Sequence, residues 1–178
     1  MAGDSGAVQP GMTHRFRPLI VLGAASLLVG AVLRATLWWQ FGVADGVGAS
    51  ELPSVLARGL ANDLIVTLYA FTPFALYLAL VPARWMHSRA NRVLISAGSW
   101  ITLFAMVFLA VVERYFFQEF DARFNLVAFD YLAYPTEVVG DVWTEYPVVR
   151  TAIAAALIAS AGVFLMRPWI PGRPGTEA

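Results

Sequence analysis

Seven carboxylates crowd residues 113–147: Glu113, Glu119, Asp121, Asp130, Glu137, Asp141 and Glu145. Set against Arg114 and Arg123, the two bases of that stretch, they give it a charge of −5. Carboxylates in such number are the ligands that hard cations take, and Glu137 and Asp141 share a helix face one turn apart. Their spacing matches no standard cation loop, so the pattern reads first as an acidic face with internal pairs to Arg114 and Arg123. Other chemistries find less support. The chain has no Cys, which excludes disulfides, thiol catalysis and thiolate metal sites. His14 and His87 stand apart in polar flanks, no Gly-rich phosphate loop follows a strand-like run, and no Ser, His and Asp set has a catalytic context. The residues present do not compose a complete enzyme or a nucleic-acid interface, and no metal or cofactor is expected on this chain.

Two further charges lie where charges are costly. Arg34 falls about two turns from the end of an apolar run, and Asp63 falls near the start of the next. An ionised group at such a depth costs about 3 kcal/mol unless it snorkels or pairs. Arg34 therefore either snorkels past Trp38 and Trp39 to the headgroups, grips a lipid phosphate, or pairs with a carboxylate, for which Asp63 is the candidate. A place in the first helical turn, where the helix dipole favours a carboxylate, is expected for Asp63.

The elements that must hold these groups are membrane spans. Hydrophobic residues make up 59% of the 178-residue chain, and the mean hydropathy is +0.66, more than a soluble domain of this size can bury. The pattern predicts an all-α, polytopic membrane helix bundle with four transmembrane helices at about 18–41, 60–81, 93–112 and 148–166. Residues 1–13 read as a disordered N-terminus, 14–167 as the transmembrane domain and 168–178 as a tail. Residues 42–58 read as a loop punctuated by Gly and Pro, and Pro73 as a kink in the second span. On the fourth span Ala152, Ala156 and Ser160 form a small-residue stripe suited to close helix packing, within the bundle or between copies.

All twelve cations are Arg, and their placement orients the bundle. Arg15 and Arg17, then Arg84, Arg89 and Arg92, then Arg167 and Arg173 fall on alternate connections. The positive-inside rule accordingly puts both termini in the cytoplasm, with residues 113–147 on the outer face. In that outer loop Phe116, Phe120 and Phe124 recur every four residues, and Thr136 is placed to cap a further helix. Two or three short amphipathic helices at the membrane surface are expected. Their acid excess makes a protein surface, or the arginines Arg34, Arg58 and Arg150, a better partner than anionic lipid.

The run RFN at 123–125, then Asp130, Tyr131 and Leu132, Tyr134, Glu137 and Val138, and finally Tyr146 and Pro147, resembles the membrane domain of the lipoteichoic acid synthase-like phosphoglycerol transferases, of the sulfatase and alkaline phosphatase superfamily. RGLANDL at 58–64 is similar to that family's Gly-Leu, then Asp-Leu, pattern at the second span, and the resemblance covers most of residues 15–167. It implies an N-terminal anchor for an extracytoplasmic catalytic domain. There a Thr nucleophile beside manganese or magnesium would take glycerol phosphate from phosphatidylglycerol and pass it on. This chain stops at Ala178 without that domain, and four spans leave its C-terminus on the opposite face. The expectation is a fragment, a truncated product or an isolated membrane module, not catalytic by itself, with membrane lipid and the missing domain as partners. Arg123, Asn125, Asp130, Tyr131, Tyr134 and Glu137, with Arg34 and Asp63, are the candidate positions for docking or headgroup contact. A stand-alone four-helix scaffold or transporter accessory protein is the alternative from another class.

Overall fold

The computed structural model describes residues 12–123, 140 and 142–171. Among them there are no strands, and four helices are long and apolar enough to cross a membrane. The protein is a multi-pass membrane helix bundle. Helix α1, Met12–Leu37, runs into a π-helical turn at Trp38–Gly42, and α2 is Leu52–Leu80. The single turn α3, Ala83–Met86, leads to α4, Arg89–Phe120, and α5 is Val148–Met166, ending in a 3₁₀ turn at Arg167–Trp169.

Three spans begin or end away from their expected bounds, each for a local reason. Pro18 lies inside α1, not ahead of it, so Arg15 and Arg17 are helical residues. The loop before the second span is short: α2 starts at Leu52 because Pro53 sits in its first turn, where its missing N–H is no loss. Asp63 is consequently three turns into α2 and not in the first turn, so the helix terminus does not stabilise its charge. The third span does not stop at Val112 either. α4 continues through Glu113 and Phe116 to Phe120 and ends at Asp121, whose left-handed backbone (φ 50°) stops the helix while its N–H caps Phe117 O at 2.9 Å. The phenylalanines at 116, 117 and 120 thus ride on the span itself. Its 32 residues make about 48 Å of helix, more than a hydrocarbon core needs. α5 matches its expected bounds, and Pro73 lies inside α2 as expected. The remainder of the expected surface helices, from Phe124 through Thr136, and the termini 1–11 and 172–178 lie outside the described residues.

α1 is the central helix. It packs along α2 and along α4, and α4 packs in turn along α5. Contacts pair the start of α1 with the end of α2 and the start of α4, as sequence-adjacent spans of alternating direction require. Near the α1 start, Leu78, Val81, Met86, Ile95 and Ile170 form one apolar cluster, and in the middle Leu22, Leu103, Ala159 and Met166 form another. Small residues set the closest approach of α4 and α5. Ala155 and Ala159 are buried, and a Cβ on Gly162 would meet Leu103 Cδ1 at 2.8 Å. The expected stripe is displaced by one position, and Ser160 at its edge accepts a hydrogen bond from Trp100 Nε1 at 3.0 Å. The outer surfaces are apolar, with Tyr69 and Leu80 about four-fifths exposed, as lipid solvation demands.

Two polar groups secure the α1-start end. The Arg15 guanidinium donates to the carbonyls of Leu78 and Val81, capping the C-terminus of α2 where a cation is favoured. Asn91, fully buried, donates from Nδ2 to Met86 O at 2.9 Å and accepts from the Tyr77 hydroxyl, while its N–H is capped by Ser88 Oγ at 3.0 Å. One amide therefore ties α2, the α3 turn and α4 together. Replacing it with Leu leaves Tyr77 Oη and Met86 O without that partner, and Asn91→Leu is expected to cost about 1–3 kcal/mol in denaturant unfolding in detergent. A loss under about 0.5 kcal/mol, the range of ordinary surface changes, would remove Asn91 from this role.

Candidate functional site

Arg34 and Asp63 meet inside the bundle. Arg34 Nη1 donates to Asp63 Oδ2 at 2.5 Å and Nη2 donates to Oδ1 at 2.6 Å, the two-pronged geometry that a planar guanidinium and a carboxylate share. The Arg34 side chain is 7% exposed and that of Asp63 19%. Of the three readings of Arg34, pairing across helices is the one the structure displays.

Each partner lies on a glycine of the opposite helix. A Cβ on Gly59 would come within 1.9 Å of Arg34 Nε, and a Cβ on Gly30 within 2.1 Å of Asp63 Oδ2. Gly30 precedes Arg34 by one turn on α1, and Gly59 precedes Asp63 by one turn on α2. Because the helices are antiparallel, each glycine lies opposite the other helix's charge. The result is a reciprocal clasp: two short gaps in the backbone surface receive two polar side chains that would otherwise hold the helices apart. One turn further in, Thr67 Oγ1 donates to Ser26 Oγ at 3.1 Å, extending the polar seam. The sequence signal for this device was a Gly four residues ahead of each intramembrane charge.

Above the clasp the same end of the bundle is polar. Glu113 lies near enough for its charge to act on Arg34 as well, and it accepts a hydrogen bond from Arg123 Nε at 2.5 Å. Arg114 donates from Nε to Gln40 Oε1 at 2.8 Å and places its guanidinium 5.2 Å from the Tyr115 ring centroid. The π-helical turn that carries Gln40 also brings Phe41 to Phe117, with 5.1 Å between centroids. Trp38 Nε1 closes the following loop on Val47 O at 3.3 Å. Tyr115 meets Tyr146, the rings 5.1 Å apart and edge-on, so the tops of α4 and α5 are bridged by aromatic contact.

No family model, no curated protein and no solved structure matches this chain.

Of the residues singled out from sequence, the structure joins Arg34 to Asp63 and Arg123 to Glu113. Asn125, Asp130, Tyr131, Tyr134 and Glu137 lie outside the described residues, as does Asp141. Among the described residues no three acidic or histidine side chains converge as cation ligands do. Gly30, Gly59, Asn91, Tyr77 and Arg15 are the polar or close-packing positions that reading by motif missed.

The clasp makes a sharp energetic claim. Removing one member leaves a buried, uncompensated charge, so Arg34→Ala and Asp63→Ala should each cost about 3–5 kcal/mol. The double variant, which strands neither charge, is expected to cost less than their sum by about 1–3 kcal/mol in a detergent unfolding cycle. Gly59→Ala should reproduce a large part of the Arg34→Ala loss because its Cβ occupies the guanidinium's place. Additive single losses, or a neutral Gly59→Ala, would show that the pair does not bear on stability.

Proposed function

We propose that this chain is a membrane-anchoring module whose α1-end face, the one carrying Gln40, Tyr115 and Arg123, supports an extramembranous catalytic domain. The resemblance of residues 123–147 to the phosphoglycerol transferases makes that domain one of the sulfatase fold, acting outside the cytoplasm on phosphatidylglycerol. The observation that carries the proposal is the sorting of charge between the two ends of the bundle. Every described carboxylate, from Asp45 and Glu51 through Glu113, Glu119, Asp121 and Glu145, belongs to one end, with Asp63 beneath it. Arg15, Arg17, Arg84, Arg89, Arg92 and Arg167 belong to the other, with no described acid among them. Retention of the basic end in the cytoplasm of a bacterial inner membrane is the orientation this sorting favours.

Several features suit a platform better than a pathway. The intramembrane charges neutralise each other at 2.5 Å, where a transport route sets ionisable groups facing a water-filled cavity. The extra turns of α4 carry Gln118 and Glu119, both exposed, at the acidic end, and Arg123 is braced there against Glu113. On this reading the manganese or magnesium ion and the Thr nucleophile belong to the supported domain, and Asn125, Asp130, Tyr131, Tyr134 and Glu137 serve the contact with it or with the lipid headgroup.

The absence of cysteine makes the orientation directly testable. Single substitutions Ser50→Cys and Ala90→Cys, both at exposed positions on opposite ends, are to be treated with a membrane-impermeant maleimide on intact cells. Labelling of Ser50→Cys before permeabilisation and of Ala90→Cys only after it is the expected result; the reverse pattern overturns the orientation. For the partner, a photo-crosslinking residue at Glu119 should yield crosslinked peptides from a sulfatase-fold domain in the native host. Crosslinks confined to this chain and to proteins of other folds would reject the anchor reading.

A further inference from the structure

The upper part of the α4–α5 seam is hollowed among the described residues and changes chemistry along its length. A first hollow of about 310 Å³ is walled in its deeper part by Val107 and Val111 on α4 and by Ala154 and Ile158 on α5. At the mouth of that apolar slot stand Arg150, Thr151 and the Tyr115 ring. Immediately beyond, sharing Tyr115, a second hollow of about 460 Å³ is lined by Gln118, Glu119, Glu145 and Tyr146. Antiparallel packing fixes this order, since α4 rises from Val107 to Glu119 as α5 descends from Arg150 to Ile158.

Arg150 is exposed, and among the described residues neither it nor Glu119 or Glu145 has an ion-pair partner. The sequence from bilayer centre outward is thus apolar slot, cation with hydroxyls, then two carboxylates. A phospholipid presents the matching sequence: acyl chain, phosphate, then headgroup. A guanidinium and hydroxyls are suited to the phosphate, and the chain fills a slot that lipid must otherwise solvate. The carboxylates decide the headgroup. An anionic one would face two like charges, whereas a primary ammonium offers three N–H donors to them.

We propose that the α4–α5 groove binds a phospholipid with a primary-ammonium headgroup, of the phosphatidylethanolamine type, its phosphate on Arg150 and its ammonium between Glu119 and Glu145. This site lies apart from the Arg34–Asp63 clasp and stands whether or not the bundle supports a catalytic domain. It also gives the acidic end a lipid preference opposite to the phosphatidylglycerol that the anchored domain would consume.

The full chain, purified in detergent, is to be exposed to equimolar phosphatidylethanolamine, phosphatidylglycerol and phosphatidylcholine of identical acyl composition, and retained lipid read by native mass spectrometry. Retention of phosphatidylethanolamine about tenfold above the other two is expected from one charge-assisted hydrogen-bonded contact. Choline serves as the control because its quaternary nitrogen has no N–H. Glu119→Gln with Glu145→Gln, isosteric changes at exposed positions, should reduce phosphatidylethanolamine to the phosphatidylcholine level, and Arg150→Ala should weaken all three lipids. Equal retention of the three lipids, a preference for phosphatidylglycerol or phosphatidylcholine, an undiminished preference in the Gln double variant, or retention indifferent to Arg150→Ala would each overturn the proposal.

Discussion

An arginine and an aspartate placed on neighbouring helices in a low-dielectric layer have little choice but to find each other. Either alone would draw water or headgroups inward, and neither helix alone could hold its charge in lipid. Paired through two hydrogen bonds, the same charges become the strongest directional contact between α1 and α2. The rest of the architecture is compatible with that contact. Glycines at 30 and 59 let the backbones approach, Ser26 and Thr67 continue the polar seam, and the register they set brings Arg15 onto the last carbonyls of α2. α1 also packs on α4, and α4 on the last span, so α1 links the clasped pair to the rest of the bundle.

The two ends of the bundle are held by different means. At the basic end an apolar cluster, the Arg15 cap and buried Asn91 make a compact turn region between α2 and α4. At the acidic end the helices are joined by aromatic edges and charge-assisted bonds: Phe41 to Phe117, Tyr115 to Tyr146, Arg114 to Gln40 and Arg123 to Glu113. Aromatic and amphipathic side chains of this kind are the ones most at home at the headgroup level of a bilayer.

Hydropathy was sufficient to read the number of spans and the bounds of α5, because lipid imposes helix length directly on composition. The other bounds drifted where polar residues remain helical. Asp63 and the turn before it looked like the start of a span but belong to its interior, and Glu113 looked like its end but lies seven residues short of it. In both cases a side-chain partner outside the window being read makes the charge tolerable within the helix: Arg34 on the neighbouring span for Asp63, and Arg123 beyond the helix end for Glu113. The Arg34–Asp63 pairing was legible from the scarcity of alternatives. The glycines that make it possible were not singled out, since a glycine's meaning depends on what faces it. Asn91 was invisible for the same reason: nothing in a local window marks a polar residue in a short connection as the tie between two helices.

The reciprocal clasp also governs the order in which the protein can be made. α1 precedes α2 in synthesis and carries Arg34 with no carboxylate of its own to neutralise it, so lipid is a poor resting place until α2 follows with Asp63. The economical route is for the first two spans to enter the bilayer together as a hairpin, already paired, while Gly30 and Gly59 allow them to close without rearrangement. α4 and α5 have a close approach of their own, around Ala155, Ala159 and Gly162, that involves neither clasp residue. What joins the clasped pair to the other two spans is the α1–α4 face, where Leu22 and Leu103 share one apolar cluster and Phe41, just past α1, meets Phe117.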